Sequence, residues 1–346
     1  MDDATPYALP IDPDVPVAPA RVVHRLEVAS FDVGVERAFV ELVGDGLATG
    51  VRVPVLVARG AQPGPVFGLT ASVHGNELNG IPVIHELFRE LDVTKLRGTV
   101  VGVIAANVPG LHLNQRGFID GKDLNRIMPG KANGSVSEVY AYRLLHRIVD
   151  QFELLIDLHT ASFGRINSLY VRADLTNDRT AVMADLQHPQ ILVHNEASDH
   201  TLRGAAMEMG IPAITVEIGN PQRWQRSYTL GALAGVRRVL QWAGMLEHVP
   251  EPRTDQPVVC DKSKWMFTDR GGLLEVLPGL RDFVKEGQRV AVVHNAFGDP
   301  IREYRAPYDG IVIGKSTNPV GYTGARIIHL GRVASADAFP ALSGAS

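Results

Sequence analysis

One stretch, Leu69-Thr70-Ala71-Ser72-Val73-His74-Gly75-Asn76-Glu77, constrains this chain more than any other. An apolar run of strand length followed by a glycine predicts a buried strand whose C-terminal end turns sharply, and open α/β sheets place their ligands at such ends. The turn carries a histidine and, three residues on, a glutamate. Imidazole nitrogen and carboxylate oxygen supply two thirds of a hydrolytic zinc site. A third ligand, a base and an anion clamp are then required from the rest of the chain.

The pattern recurs twice. Phe152 to Leu158 reads as a second buried strand, running into Asp157-Leu158-His159-Thr160, and Ala213 to Ile218 as a third, with Glu217 near its end. Parallel strands share one C-terminal edge, so His74, Glu77, His159 and Glu217 can meet although they are far apart in sequence. Two His and one Glu leave a fourth coordination position for a water, whose pKa a catalytic zinc lowers to about 7. A ligating imidazole usually donates its other N–H to a carboxylate; Asp123 is a candidate, with Asp157 the alternative. A carboxylate on an apolar strand is costly unless paired or functional. Glu217 is therefore either a general base or the partner of a buried arginine.

Helical spacing appears between these strands, over Ile81 to Leu91, Ser137 to Val149 with Ser137 as N-cap, Thr201 to Met209 and Leu230 to Leu246. Gly98 to Ala106 reads as a central parallel strand. Val51 to Val57, where Pro54 suggests an edge or bulge, pairs with the opening strand as a hairpin through a turn at Gln62 to Pro65. The polar loop Leu111 to Gly134 is long for a connector and carries Arg116, Asp123, Asn125 and Arg126. Guanidinium and amide donors there suit a substrate carboxylate, and an arginine also suits an oxyanion. The alternation predicts an α/β fold with a mixed, mostly parallel sheet flanked by helices.

Past Val249 the texture changes to a Pro-rich linker and then short apolar runs separated by glycines, which predicts a small all-β domain. The expected organisation is a flexible leader over 1–20, a catalytic domain over 21–250, the β domain over 257–333 and a tail over 334–346. A formal net charge of -4, with both signs interspersed, gives no face for nucleic acid or anionic lipid. No apolar run approaches the ~20 residues of a membrane span. Met1 to Ala20 lacks the pattern of a secretory signal, and the single Cys260 reads as a buried, inert thiol. Both point to a reducing, cytoplasmic location.

With these residues in view, the chain resembles the succinylglutamate desuccinylase/aspartoacylase family, itself related in fold to the zinc carboxypeptidases. The resemblance rests on His74-Gly75-Asn76-Glu77, on Asp123-Leu124-Asn125-Arg126 followed by Pro129-Gly130, on Asp157-Leu158-His159-Thr160 and on Val216-Glu217-Ile218-Gly219, in that order from Val51 to Leu246. It implies one Zn2+ per chain held by His74, Glu77 and His159, with Glu217 as general base and acid. It further implies that Asn125 and Arg126 bind the substrate carboxylate, that Arg116 stabilises the oxyanion and that Asp123 supports His74. Arg223 and Arg226 are candidates for a further anion contact. The C-terminal part resembles a biotinyl/lipoyl-like barrel-sandwich domain. The segment His294 to Pro300 stands where a carrier's lysine would be, and it has none. The domain is thus expected to cover the cleft or mediate assembly as a homo-oligomer, with Tyr304, Tyr308 or Tyr322 reaching the site.

The expected activity is a zinc-dependent amidohydrolase that deacylates a small N-acyl amino acid bearing a carboxylate. A zinc metallocarboxypeptidase acting on small peptides is the first alternative, and a non-catalytic binding protein the second.

Overall fold

The three apolar strands singled out above lie side by side at the centre of the sheet, and everything else is arranged around them. The computed structural model describes residues 19–196, 198–249, 253, 255–335 and 337–342. Most of the expected leader, part of the linker and the end of the tail lie outside the described residues.

Arg21–Val23 (β1), Gly34–Gly44 (β2), Gly50–Arg59 (β3) and Gln62–Ala71 (β4) precede the helix Gly80–Glu90 (α1). Arg97–Val103 (β5), the short helix Val108–His112 (α2), Val136–Arg147 (α3) and Leu154–His159 (β6) follow. Next come Arg165–Asn167 (β7), Leu169–Ala173 (β8), Asp178–Asp185 (α4), Ile191–His194 (β9), Leu202–Glu208 (α5), Ala213–Ile218 (β10) and Arg226–Trp242 (α6). The C-terminal part is strand up to a 3-10 turn at Pro340–Leu342: Val258–Phe267 (β11), Gly272–Val276 (β12), Phe283–Val284 (β13), Arg289–His294 (β14), Pro300–Arg305 (β15), Gly310–Ser316 (β16), Val320–Gly321 (β17) and Arg326–Val333 (β18).

The large sheet runs β1-β2-β3-β5-β4-β6-β10-β8-β9-β11-β18-β16-β13, and β7 pairs with β16. It is mixed, with β5, β4, β6 and β10 mutually parallel at its centre. β12, β14, β15 and β17 form a second, antiparallel sheet. α1 and α6 bury Ile84, Leu87, Val236 and Leu240 against one face; α3 and α5 bury Leu144, Leu145 and Ala206 against the other. Strands covered on both faces can be apolar throughout, which is why β4, β6 and β10 are legible as continuous runs. Among the described residues no helix is long and apolar enough to cross a membrane.

Several local expectations are corrected. β3 and β4 do not form a hairpin, because β5 lies between them, antiparallel to β3 and parallel to β4. Gln62 to Pro65 is the start of β4, with an irregularity between Gln62 and Val66, and not a turn. Pro54 sits inside the sheet; its carbonyl accepts from Ile104 just beyond the end of β5, so the absent N–H costs nothing inside that ladder. The N-cap of α3 is Ser135, since Glu138, three residues on, reaches back to the Ser135 N–H at 2.8 Å. The sequence reading also passed over α4.

Candidate metal centre and its cavity

The strand ends deliver their side chains to one place because the register leaves no alternative. β6 pairs with β4 on one side and β10 on the other, and Glu217 stands directly opposite His159. β4 stops at Ala71, and Ser72 takes a left-handed backbone (φ 56) that turns the chain toward β5, where the Asn107 N–H bonds to Ser72 O at 3.0 Å. A non-glycine residue in that region costs on the order of 1–3 kcal/mol and survives only where the surroundings over-determine it. Gly75 is required for a different reason: a Cβ there would lie 1.9 Å from the backbone of Gly110. A turn then closes from the Glu77 N–H to His74 O, placing both side chains on one side.

One ring nitrogen each of His74 and His159 and a Glu77 carboxylate oxygen lie within 4.8 Å of one another, and all three residues are buried. His74 Nδ1 is 2.9 Å from Glu77 Oε1, and His159 Nδ1 is 2.9 Å from Glu77 Oε2. The outward nitrogens each meet a carboxylate: His74 Nε2 and Asp123 Oδ1 at 3.0 Å, His159 Nε2 and Asp157 Oδ2 at 2.7 Å. The sequence left Asp123 and Asp157 as alternatives; both are used, one for each imidazole. Asp157 reaches His159 because residues two apart on a strand share a face. Asp157 is itself fixed by the Thr70 hydroxyl, which donates to it at 2.6 Å.

The electrostatics are those of a cation site. Burial works against ionisation of Glu77, but His74 and His159 overcome it and hold the carboxyl well below the usual range. Burial also opposes charge on His159, and Asp157 and Glu77 reverse the effect and raise it well above an ordinary histidine. Asp123 is held low in the same way, against burial, by His74 and Arg116. Carboxylates thus outnumber imidazoles. His74 Nδ1 and His159 Nδ1 each face the Glu77 carboxylate from 2.9 Å. A nitrogen-oxygen-nitrogen donor set with a carboxylate behind each ring fits a zinc ion.

Beside the cluster opens a cavity of about 880 Å³, lined by Glu217, Asn125, Arg126 and Arg116 as well as by the cluster itself. Glu217 Oε2 accepts from Asn167 Nδ2 at 3.1 Å and Oε1 from the Tyr170 hydroxyl at 3.2 Å, with Arg172 Nε 3.7 Å away. Glu217 thus lines the cavity and also has Arg172 beside it. Asn125 spends Oδ1 on the N–H of Leu202 at the start of α5, at 2.7 Å, leaving Nδ2 as its donor. Arg116 is clamped by Asp123 through Nε (3.0 Å) and Nη2 (2.9 Å), and by Glu77 and Ser162 through Nη1. One N–H of Nη2 is left for a ligand.

Other lining residues had no clear signal in the sequence. Asn167 and Tyr170 fall a few residues past His159, in a stretch that reads only as a short strand. Trp265, Arg326 and His329 come from β11 and β18, far away in the chain. Of the three tyrosines expected to reach the site, Tyr308 lines the cavity; Tyr304 instead bonds Asp269 at 2.7 Å and Tyr322 is 85% exposed. Arg223 and Arg226 are not among the lining residues.

Comparisons with known proteins follow the same lines. Residues 63–243 match the model of the succinylglutamate desuccinylase/aspartoacylase catalytic domain. The chain is 29% identical over 303 residues to an N-alpha-acetyl-L-2,4-diaminobutyric acid deacetylase of Halomonas elongata, covering 82% of this chain and 87% of the relative. The product-bound ectoine utilization protein EutE (DoeB) of Ruegeria pomeroyi superposes with a TM-score of 0.78 at 25% identity, over 87% of this chain and 97% of that one. A succinylglutamate desuccinylase/aspartoacylase of Rhodobacter sphaeroides superposes with a TM-score of 0.80 at 22% identity, over 89% and 98% of the two chains, a likeness of fold.

Proposed function

Given that the chain belongs to the succinylglutamate desuccinylase/aspartoacylase family, whose members are hydrolases of amide bonds, we propose that it removes the acyl group from a small N-acyl amino acid, with one zinc ion held by His74, Glu77 and His159. The observation that carries this reading is the convergence of those three residues beside Glu217 at the edge of one cavity. A zinc ion there would supply Lewis-acid polarisation of the scissile carbonyl and an acidified water.

The chain's own groups do the rest. Glu217, held by Asn167 and Tyr170, takes the proton of the attacking water and returns it to the leaving nitrogen. Asn125 Nδ2 and Arg126 hold the substrate carboxylate, and the remaining N–H of Arg116 faces the developing oxyanion. Trp265, Arg326 and His329 line the cavity from the C-terminal strands, which favours a small substrate over a peptide. The buried thiol of Cys260 fits a reducing, cytoplasmic setting.

The decisive experiment combines metal analysis of purified protein with a screen of N-acyl amino acids and unblocked dipeptides, read as released amine. Glu217→Gln is expected to keep its metal and lose turnover by about 10²–10⁴-fold. Full turnover in that variant would remove Glu217 from its role, and protein without stoichiometric zinc would favour a non-catalytic binding protein.

A further inference from the structure

Asn79 stands at the N-cap of α1 and Gln225 at the N-cap of α6, and neither side chain caps its own helix. Asparagine at that position ordinarily accepts from a backbone N–H within the first turn of the helix. Here the two residues bond each other instead. Asn79 Nδ2 donates to Gln225 Oε1 at 3.1 Å, and the Gln225 backbone N–H donates to Asn79 Oδ1 at 3.0 Å. The backbone N–H of Asn220 donates to the same Gln225 Oε1 at 2.6 Å. A backbone N–H can only donate, so the orientation of both amides is fixed.

The pair joins two parts of the site that the sheet does not join. β6 lies between β4 and β10, so no ladder links the turn carrying Glu77 to the end of β10 carrying Glu217. Asn79 follows Glu77 by two residues, is fully buried, and donates through Nδ2 to the carbonyl of Ile218, next to Glu217, at 2.8 Å. A parallel tie runs from the Gln222 N–H to Asn76 O at 3.1 Å. Gly219 takes a left-handed backbone (φ 69), and a Cβ there would lie 2.5 Å from Gln225 Oε1, so the Gln225 side chain sits directly on the turn that ends β10. Neither Asn79 nor Gln225 is among the residues lining the cavity. A displacement of about 1 Å caused by a change away from the chemistry can cost about 10²-fold in rate, so a remote pair that sets a distance matters as much as a group in contact.

We propose that Asn79 and Gln225 are positioning residues, which together set the distance between the metal ligands on the turn after β4 and Glu217 on β10. The proposal rests on the reading of this cluster and Glu217 as deacylase machinery.

Both side-chain bonds of Gln225 are accepted by Oε1, so a glutamate can keep them and a methionine of similar size cannot. Gln225→Met should lower zinc affinity about tenfold in competition with a chelator, the lower end of what the partners of metal ligands contribute. It should also lower kcat about tenfold or more with KM unchanged, because Asn125 and Arg126 lie on another loop. Gln225→Glu should keep both values near those of the unaltered chain. Asn79→Ala should reproduce the losses, but it empties a buried site, and Gln225→Met, at a half-buried position, is the variant that decides. Unchanged zinc affinity and kcat in Gln225→Met would overturn the proposal. So would a Gln225→Glu protein as impaired as Gln225→Met, because packing and not hydrogen bonding would then be responsible. If the unaltered chain binds zinc but releases amine from no N-acyl amino acid, the deacylase reading falls and the chelator titration still decides the pair; a chain that takes up no zinc sinks both.

Discussion

The two sides of the cavity are built from different kinds of group. On the side of β4, β6 and β10 the charged groups are held by one another: each imidazole has its carboxylate, Asp157 has Thr70, and Asp123 has Arg116. On the side of β11 and β18, Trp265 lies against the guanidiniums of Arg165 and Arg326 and stacks on His329, whose Nδ1 has no hydrogen-bond partner among the described residues. The first side is preorganised and must hold its groups within fractions of an ångström. The second is an aromatic platform supplied by strands far away in the chain.

Substitutions should separate the two sides. His159→Ala should have the largest effect, eliminating bound metal and turnover together; metal analysis of a folded variant that retained full zinc would break the assignment. Asp123→Asn leaves the ligands in place and removes the carboxylate behind His74, so zinc affinity should fall about 10–100-fold in a competition titration with a chelator. An unchanged affinity would mean that Asp123 serves only the loop.

Gly314→Ala crosses from one side to the other. A Cβ on Gly314 of β16 would sit 2.3 Å from Asn167 Oδ1, and Asn167 donates to Glu217. Turnover should fall about fivefold, the value of one hydrogen bond, while zinc content stays the same. A variant with wild-type kcat would show that Glu217 does not depend on the C-terminal strands.

The smallest effect concerns the seam between the sides. Cys260 packs with Tyr170, Ile191 and Ile313, and burial, with Asp261 near, pushes its thiol up to about 12. An unfolded thiol ionises near 8.5, so the stability contributed by keeping it protonated is complete below that pH and declines as pH rises toward 12. Between pH 8 and 9.5 the chain should lose about 1 kcal/mol that Cys260→Ala does not lose, measured by urea unfolding. Parallel losses in both proteins would place the thiol in water.

The same division explains what was legible in the sequence. β10 occupies the residues over which its apolar run extends, and His74, Glu77, His159 and Glu217 could be read as strand ends because the central strands are apolar on both faces. Topology was not legible where it depends on strand order: nothing in β3, β4 or β5 alone says that β5 inserts between the other two. The cap of α3 falls at Ser135 and not at the expected Ser137, because only Ser135 has a glutamate three residues on, Glu138. Trp265, Arg326 and His329 carry no motif, and only tertiary packing brings them to the cavity.

The parallel pairing of β11 with β9, Val258 opposite Ile191 through Cys260 opposite Val193, has a practical consequence. A chain shortened to end before β11 would bare the backbone donors and acceptors of β9 along an apolar strand. Such an edge recruits other strands, so the truncated protein should aggregate instead of persisting as a smaller enzyme.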